Sequence, residues 1–397
     1  MSRSKDQAPE TLLVGAGRDS KRHRGAVNVP PYRASTIAMA NYEAFEIARQ
    51  ERFEKDTIVY GRFGTPSSHA FEEAVAAIEG ADRVVSLSSG MAACATAILS
   101  TVKTGEHALF PDNVYQPVRL FAGGFLARFG VEYSFYDPLI GAGISALMRP
   151  NTKLVYCEAP DSQTMEIPDT PAIVAAAKAQ GARTAFDNTW ATPLLFRPLD
   201  HGIDLSINAA TKYLVGHSDA MLGTIAMRDE MFERVKVLAA SQLGNCAGSE
   251  EVYLGLRGMR TMAVRLKRHG ESALTMARWF QHRPEVARVL YPALPDDPGH
   301  ALWKRDFRGA SGLFSVVFKP FPKKAVAAMI DGLEHFSIGA SFGGYESLVL
   351  PFDPAGYRSV TEWQAEGPCL RFHIGLESVD DLILDLESGF ARLNAAA

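Results

Sequence analysis

Cysteine is scarce in this chain of 397 residues: four stand at 94, 157, 246 and 369, with no CxxC pair and no Cys/His cluster. That scatter argues against a disulfide framework and a structural zinc, and fits reduced thiols in a cytoplasmic protein. Neither sign of charge predominates, since 41 Lys and Arg face 45 Asp and Glu for a net charge of −4. Such a chain carries no strong basic field, so nucleic acid and anionic membrane surfaces are not expected partners. Nowhere do about 18 apolar residues follow one another, and the opening MSRSKDQAPE has no apolar stretch of the signal-peptide kind. The ten histidines form no HExxH motif, and no metal is assigned. Internal repeats and low-complexity segments are absent as well.

The length exceeds what one hydrophobic core usually supports. Three parts are expected: an arm over 1–62, a large domain over 63–258 and a smaller C-terminal domain over 259–397. The arm reads as polar and irregular, and the consecutive prolines of NVPPYRAST exclude helix there. A segment this long without structure is better explained as lying on a neighbouring subunit. LLVGAG within it has a strand-like run and a Gly-x-Gly, but no third glycine and no following helix, which makes a dinucleotide site weak. The GAG at 141–143 reads as a turn.

From residue 67 the pattern becomes regular. SSHAFEEAVAAIEG reads as an amphipathic helix with Ser67 and Ser68 as candidate caps and an end near Gly80, followed by a strand. MAACATAILSTV and TPAIVAAAKAQG read as helices; EHALFP, TKLVYCEAP, RTAFDNTW and DLSINAATKY read as strands. Alternating elements with short apolar strands predict a mostly parallel central sheet covered by helices on both faces. Beyond residue 258, SGLFSVVF and CLRFHIGL read as strands and VDDLILDLESGFARL as a terminal helix with Ser378 at its cap, a smaller α/β unit.

In such sheets ligands sit at the carboxyl ends of the strands, and three of those ends have unusual content. SLSSGMAA places Ser88, Ser89 and Gly90 at a helix start, which suits a phosphate but also an ordinary capped turn. AFDNTW ends a strand on Asp187, a turn carboxylate or the partner of a ring N–H. AATKY sets Lys212 among small residues, either snorkelling to solvent or buried as a neutral, nucleophilic amine. Taken together in that order, the three supply what pyridoxal 5'-phosphate (PLP) needs: amides for the phosphate, a carboxylate for the pyridine nitrogen and a lysine.

With these residues placed, the chain resembles the Cys/Met-metabolism family of PLP enzymes, and within it the branch of bacterial cystathionine β-lyases. VYGRFGTP, SLSSGMAA, DNTWATP, SINAATKYLVGHSDAMLG, LRGMRTMAVRL, WKRDFRGASGLFS, GGYESL and RFHIGLE fall in the family's order over nearly the whole length. The resemblance implies an aspartate-aminotransferase-like fold (fold type I) assembled as a homotetramer, a dimer of dimers with shared sites. It implies that Lys212 carries the cofactor and acts as base, and that Asp187 pairs with the pyridinium nitrogen. Gly90, Met91 and Thr211 would hold the phosphate, joined by Tyr60 and Arg62 from the neighbouring subunit. Tyr115 resembles the tyrosine stacked on the cofactor ring, Arg371 the arginine on the substrate α-carboxylate, and Ser341 a serine near lysine and substrate. His217 and His373 read as structural.

The implied reaction is cleavage of L-cystathionine to L-homocysteine, pyruvate and ammonia, a carbon–sulfur lyase step of methionine biosynthesis. Three departures bear on the substrate. Ala209 stands where many relatives have serine, Phe342 where β-lyases have tryptophan, and AASQLGNCAGSEE lacks a tyrosine that some of them carry. The alternatives are a cystathionine γ-lyase, a γ-synthase or a cysteine desulfhydrase of the same family. A non-catalytic regulatory or binding protein on this fold would be marked by loss of Lys212, Asp187 or Arg371, and all three are present.

Overall fold

The structure, a computed structural model, describes residues 7–54 and 57–397. Residues 1–6, within the opening read as lacking a signal sequence, lie outside the described residues. Two sheets organise the rest. The larger contains β1 (Arg83–Leu87), β2 (His107–Pro111), β3 (Glu132–Tyr136), β4 (Thr152–Glu158), β5 (Arg183–Asp187), β6 (Leu205–Asn208) and β7 (Gly223–Met227), in the order β1-β7-β6-β5-β4-β2-β3. Neighbours from β6 to β3 pair parallel, and β7 runs antiparallel to both β6 and β1. Six strands therefore end on one edge, and the loops after β1, β5 and β6 emerge together there.

The smaller sheet contains β8 (Val286–Leu290), β9 (Leu313–Phe318), β10 (Phe336–Ile338), β11 (Ser347–Phe352) and β12 (Cys369–His373), in the order β10-β11-β12-β9-β8. Only β10 and β11 pair parallel. The sheets are not separate bodies in their packing. One apolar cluster runs from Phe186 and Trp190 to Phe280, Phe314 and Phe372, and Trp190 Nε1 donates to Leu313 O at 3.0 Å. This continuity fixes the edge of the large sheet against the face of β12.

Local chemistry explains where the elements begin. The helix Pro66–Glu79 is capped by Thr65, whose Oγ1 accepts from Ser68 N at 3.4 Å while Ser68 Oγ accepts from Thr65 N at 2.8 Å. Ser67 and Ser68 are thus inside the first turn, because Pro66 takes the first helical position and moves the cap one residue earlier. Ser378 does stand at the N-cap of Val379–Ala395, but its side chain makes no capping bond.

The arm is less irregular than its composition suggests. LLVG lies in a helix, Pro9–Gly15, and a second helix spans Tyr42–Gln50. Leu13, Ala16 and Val29 are buried against Ala70, Phe71 and Ala74 of the same chain. Burial on one face decided for helix where the short apolar run alone looked like strand. Residues 141–147 form a 3-10 helix in place of a simple turn. No helix among the described residues is long and apolar enough to cross a membrane, and no His/Cys/Asp/Glu group there could hold a metal ion.

Candidate active site

Lys212 follows β6 by four residues, and its Nζ donates to Ser341 Oγ at 2.8 Å. Its Nζ also stands 5.1 Å from the ring centroid of Phe342. Burial, helped by the positive charge of Arg371 and opposed by Asp187, lowers the amine to about 8. Near pH 8 a good share of it is neutral and nucleophilic.

Asp187 ends β5, buried beside the lysine. Burial raises its carboxyl, while hydrogen bonds from Thr189 and Cys94 and the charge of Lys212 pull the other way. Thr189 holds Oδ1 through N at 3.0 Å and Oγ1 at 2.5 Å; Cys94 Sγ lies 3.7 Å from Oδ2. Thr189 Oγ1 in turn accepts from Ala209 N at 2.8 Å, tying the loop after β5 to the loop that leads into Lys212. The hydroxyl therefore orients the carboxylate and the lysine segment at once.

The helix Gly90–Leu99 starts beside this pair, capped by Ser89, whose Oγ accepts from Ala92 N at 3.1 Å. A Cβ on Gly90 would come within 2.5 Å of Ala209 Cβ, so the loops after β1 and β6 touch only because this position has no side chain. First-turn amides of a helix need acceptors from outside it, and those of Gly90 and Met91 stand at such an end, which suits an anion. Ser88 Oγ is spent on Asn245 Oδ1 at 2.8 Å. Thr211 Oγ1 is shared with Leu222, lying 3.0 Å from its O and accepting from its N at 2.8 Å.

Arg371, on β12, is buried without an ion-pair partner among the described residues. It donates only to carbonyls, Nη1 to Ser162 O and Nη2 to Ser341 O, each at 3.2 Å. Burial holds it down at about 10, against the attraction of Tyr115, Asp161 and Tyr213. A guanidinium desolvated this far and offered no carboxylate is prepared for an anionic ligand. Phe342 packs between the two cations, its centroid 5.8 Å from Arg371 Cζ.

Tyr115 is exposed at the mouth, anchored by its N, which donates to Glu158 Oε2 at 2.8 Å. Burial and then the neighbouring Cys94, Asp187 and Glu158 raise its phenol, which places it within electrostatic reach of the Asp187 end of the site. Tyr60 and Arg62 are not brought in. They lie on the arm, where Arg62 Cζ is 5.4 Å from the Tyr60 ring and Tyr60 bridges to Thr36.

Sequence reasoning missed several contributors. Glu158 sits directly beside Asp187 in the β4–β5 register, and burial and the charge of Asp187 push its carboxyl well up. Alignment of the two strands would have revealed it. Asp112, after β2, accepts from the backbone N of Ser359, Val360 and Thr361 at 3.0, 2.9 and 2.8 Å and straps the β11–β12 connection to the end of β2. Burial raises its carboxyl, but those amides outweigh it and hold it at about 2. Arg358 in the same strap reaches Thr164 Oγ1 at 2.7 Å and pairs with Glu166.

A buried neutral-leaning amine, a carboxylate beside it, a helix start without side chain and an unpaired arginine make up a fitting donor set for PLP. Comparison with known proteins agrees. Residues 10–391 match the family described as Cys/Met metabolism PLP-dependent enzyme. The chain belongs to this family. A cystathionine beta-lyase of Escherichia coli (strain K12) is 44% identical over 394 residues, 98% of this chain and 99% of its own. An L-alanine/L-glutamate racemase of Wolbachia pipientis wMel is 40% identical over 396 residues, 97% of each chain. Among solved structures, a cystathionine gamma synthase from Xanthomonas oryzae pv. oryzae superposes with a TM-score of 0.89 at 30% identity, over 98% of this chain and 100% of that one. The fold is that of the fold type I PLP enzymes, and the chain is a PLP-dependent enzyme.

Proposed function

We propose that this member of the family is a carbon–sulfur β-lyase that converts L-cystathionine and water to L-homocysteine, pyruvate and ammonia. The observation that carries the reading is the buried Arg371 without a carboxylate, placed through Ser341 and Phe342 over the amine of Lys212. Similarity to the Escherichia coli β-lyase along nearly the full length supports the same choice.

In this reading Lys212 holds the cofactor. Gly90 and Met91 give backbone N–H groups to its phosphate, and Thr211 joins them by turning its hydroxyl proton away from Leu222. Asp187, fixed by Thr189, faces the pyridine nitrogen as an anion, and Tyr115 covers the ring. Tyr60 and Arg62 complete the phosphate site of a neighbouring subunit, which makes the dimer within the homotetramer a requirement of the site. When bound, PLP supplies an electron sink for the pair left at the substrate α-carbon.

The chain's own residues then do the positioning and the proton transfer. Arg371 forks the substrate α-carboxylate and sets the Cα–H toward Lys212. Freed when the substrate's own amine takes its place, neutral Nζ would take that proton, Ser341 Oγ steadying the amine, and the proton would afterwards be available at Nζ for the leaving sulfur. Phe342 walls the pocket with apolar surface. A cytoplasmic location fits a small amino-acid substrate of this kind.

Product analysis tests the proposal. Holoenzyme incubated with L-cystathionine should yield pyruvate and homocysteine in equal amounts. Formation of 2-oxobutyrate and cysteine would move the chain to the γ-lyase reading. Untouched cystathionine, with L-alanine losing its optical activity, would transfer it to the racemase reading.

A further inference from the structure

The loop 341–344, which carries Ser341 and Phe342, is held from β12 by two side chains that share one face of the strand. Arg371 Nη2 donates to Ser341 O at 3.2 Å, and two residues on, His373 Nε2 lies 3.0 Å from Gly343 N. Gly343 turns at φ +84° against the lysine itself, where a Cβ would stand 3.1 Å from Lys212 Cα and 2.8 Å from Tyr213 N. A loop packed this closely moves Ser341 and Phe342 whenever Gly343 moves.

A count of protons follows from who can donate. A backbone N–H only donates, so the lone pair of His373 Nε2 faces Gly343 and the proton sits on Nδ1. His269 Nδ1 lies 2.8 Å from Ile374 O, which only accepts, so this ring also carries its proton on Nδ1. His373 Nδ1 and His269 Nε2 are both buried, and neither has a partner among the described residues. One is a donor lacking an acceptor, the other an acceptor lacking a donor, on rings with centroids 5.2 Å apart.

The other tautomer of His373 would give its Nε2 proton to Gly344 O at 3.1 Å. It would also aim two N–H groups at each other at Gly343 and leave His373 Nδ1 and His269 Nε2 both as buried acceptors without a donor. Burial keeps the pair uncharged, lowering His373 to about 3 and His269 to about 4.

We propose that His269 and His373 form a neutral, tautomer-locked pair that positions the 341–344 loop on Lys212, with one buried water accepting from His373 Nδ1–H and donating to His269 Nε2. His373 is then a positioning residue that acts through Gly343 on Ser341 and Phe342. Its kinetic consequence rests on the reading of Lys212 and Arg371 given above; the tautomers do not.

Solid-state NMR of holoenzyme labelled with 15N-histidine tests the tautomers, the two residues being assigned from spectra of the His373→Gln and His269→Gln variants. A bare Nε2 and a protonated Nδ1 are expected for both rings; a protonated Nε2 on His373 overturns the proposal. In kinetics, His373→Leu is expected to raise KM for L-cystathionine about tenfold with kcat changed less than about threefold, as the loss of one buried hydrogen bond implies. His373→Gln, whose amide oxygen can take the place of Nε2, should restore KM to within about threefold. Equal impairment of the two variants contradicts the proposal. Should His373→Leu not fold, the NMR result on the native chain still decides. Failure of the Lys212 reading shows separately, as a phosphopyridoxyl label still fixed to the chain by borohydride in Lys212→Ala.

Discussion

Lys212 Nζ and Ser341 Oγ, 2.8 Å apart, join the loop after β6 of the large sheet to the loop before β11 of the small one. The lysine depends on the second sheet for its only side-chain hydrogen bond among the described residues. Ser341→Ala should keep the fold and lower kcat/KM by about tenfold, the worth of one buried charge-assisted bond. Steady-state kinetics with L-cystathionine checks this; a loss below twofold would show that the amine is placed by its own loop.

The depressed Lys212 sets the pH at which the apoenzyme takes up its cofactor. Only the neutral amine attacks an aldehyde, and burial brings its titration to about 8. The rate of PLP loading, followed by absorbance, should rise about tenfold per unit up to pH 8 and then level off. A rate still climbing steeply at pH 10 would place the amine in ordinary solvent.

Asp187 and Thr189 act as a unit in this account. Asp187→Asn keeps the shape but cannot hold a proton on the ring nitrogen, and should lower kcat by about a hundredfold or more. Thr189→Val removes the hydroxyl that serves both Asp187 Oδ1 and Ala209 N. The second variant should show a smaller loss in kcat together with weaker PLP binding, measured by equilibrium dialysis.

Glu79 lies outside the chemistry, yet it makes stability depend on pH. It is fully buried at the end of the helix Pro66–Glu79, accepting from Ser206 Oγ at 3.0 Å and Asn208 Nδ2 at 2.9 Å. Burial, against those hydrogen bonds and Arg197, raises it to about 8. A group raised in the fold binds its proton more tightly than in the unfolded chain. Its contribution is therefore full below the unfolded value of about 4.5 and is lost as pH climbs toward 8. Glu79→Gln is neutral at every pH, and its amide N–H can serve the unpartnered Asn208 Oδ1. It should be more stable than the wild type by about 4 kcal/mol at pH 8 and by only about 1 kcal/mol at pH 5, read from denaturant midpoints. The same difference at both pH values would mean that Glu79 stays ionised.

Much of this site could be read in the sequence because its residues sit at fixed offsets from strand ends: Gly90 after β1, Asp187 at the end of β5, Lys212 after β6. Such ends are marked locally by short apolar runs that give way to Ser, Asp or Gly. What was not legible depends on pairing across the chain. Asp112 and Ser359 are 247 positions apart, and nothing local ties a carboxylate after β2 to the β11–β12 strap. Glu158 required the β4–β5 register, and the helix over Pro9–Gly15 required the face of Phe71 and Ala74 against which Leu13 is buried. The cap at Thr65 was displaced by one proline whose preference for the first helical position outweighed two serines.

Borohydride reduction followed by peptide mapping tests the central assignment most directly. Reduction makes permanent the carbon–nitrogen bond between PLP and its lysine, and mass spectrometry then locates the added phosphopyridoxyl group. The account predicts one label per chain, on Lys212 in SINAATKYLVGHSDAMLG. A label on any other lysine, or none in protein that has bound PLP, would contradict it.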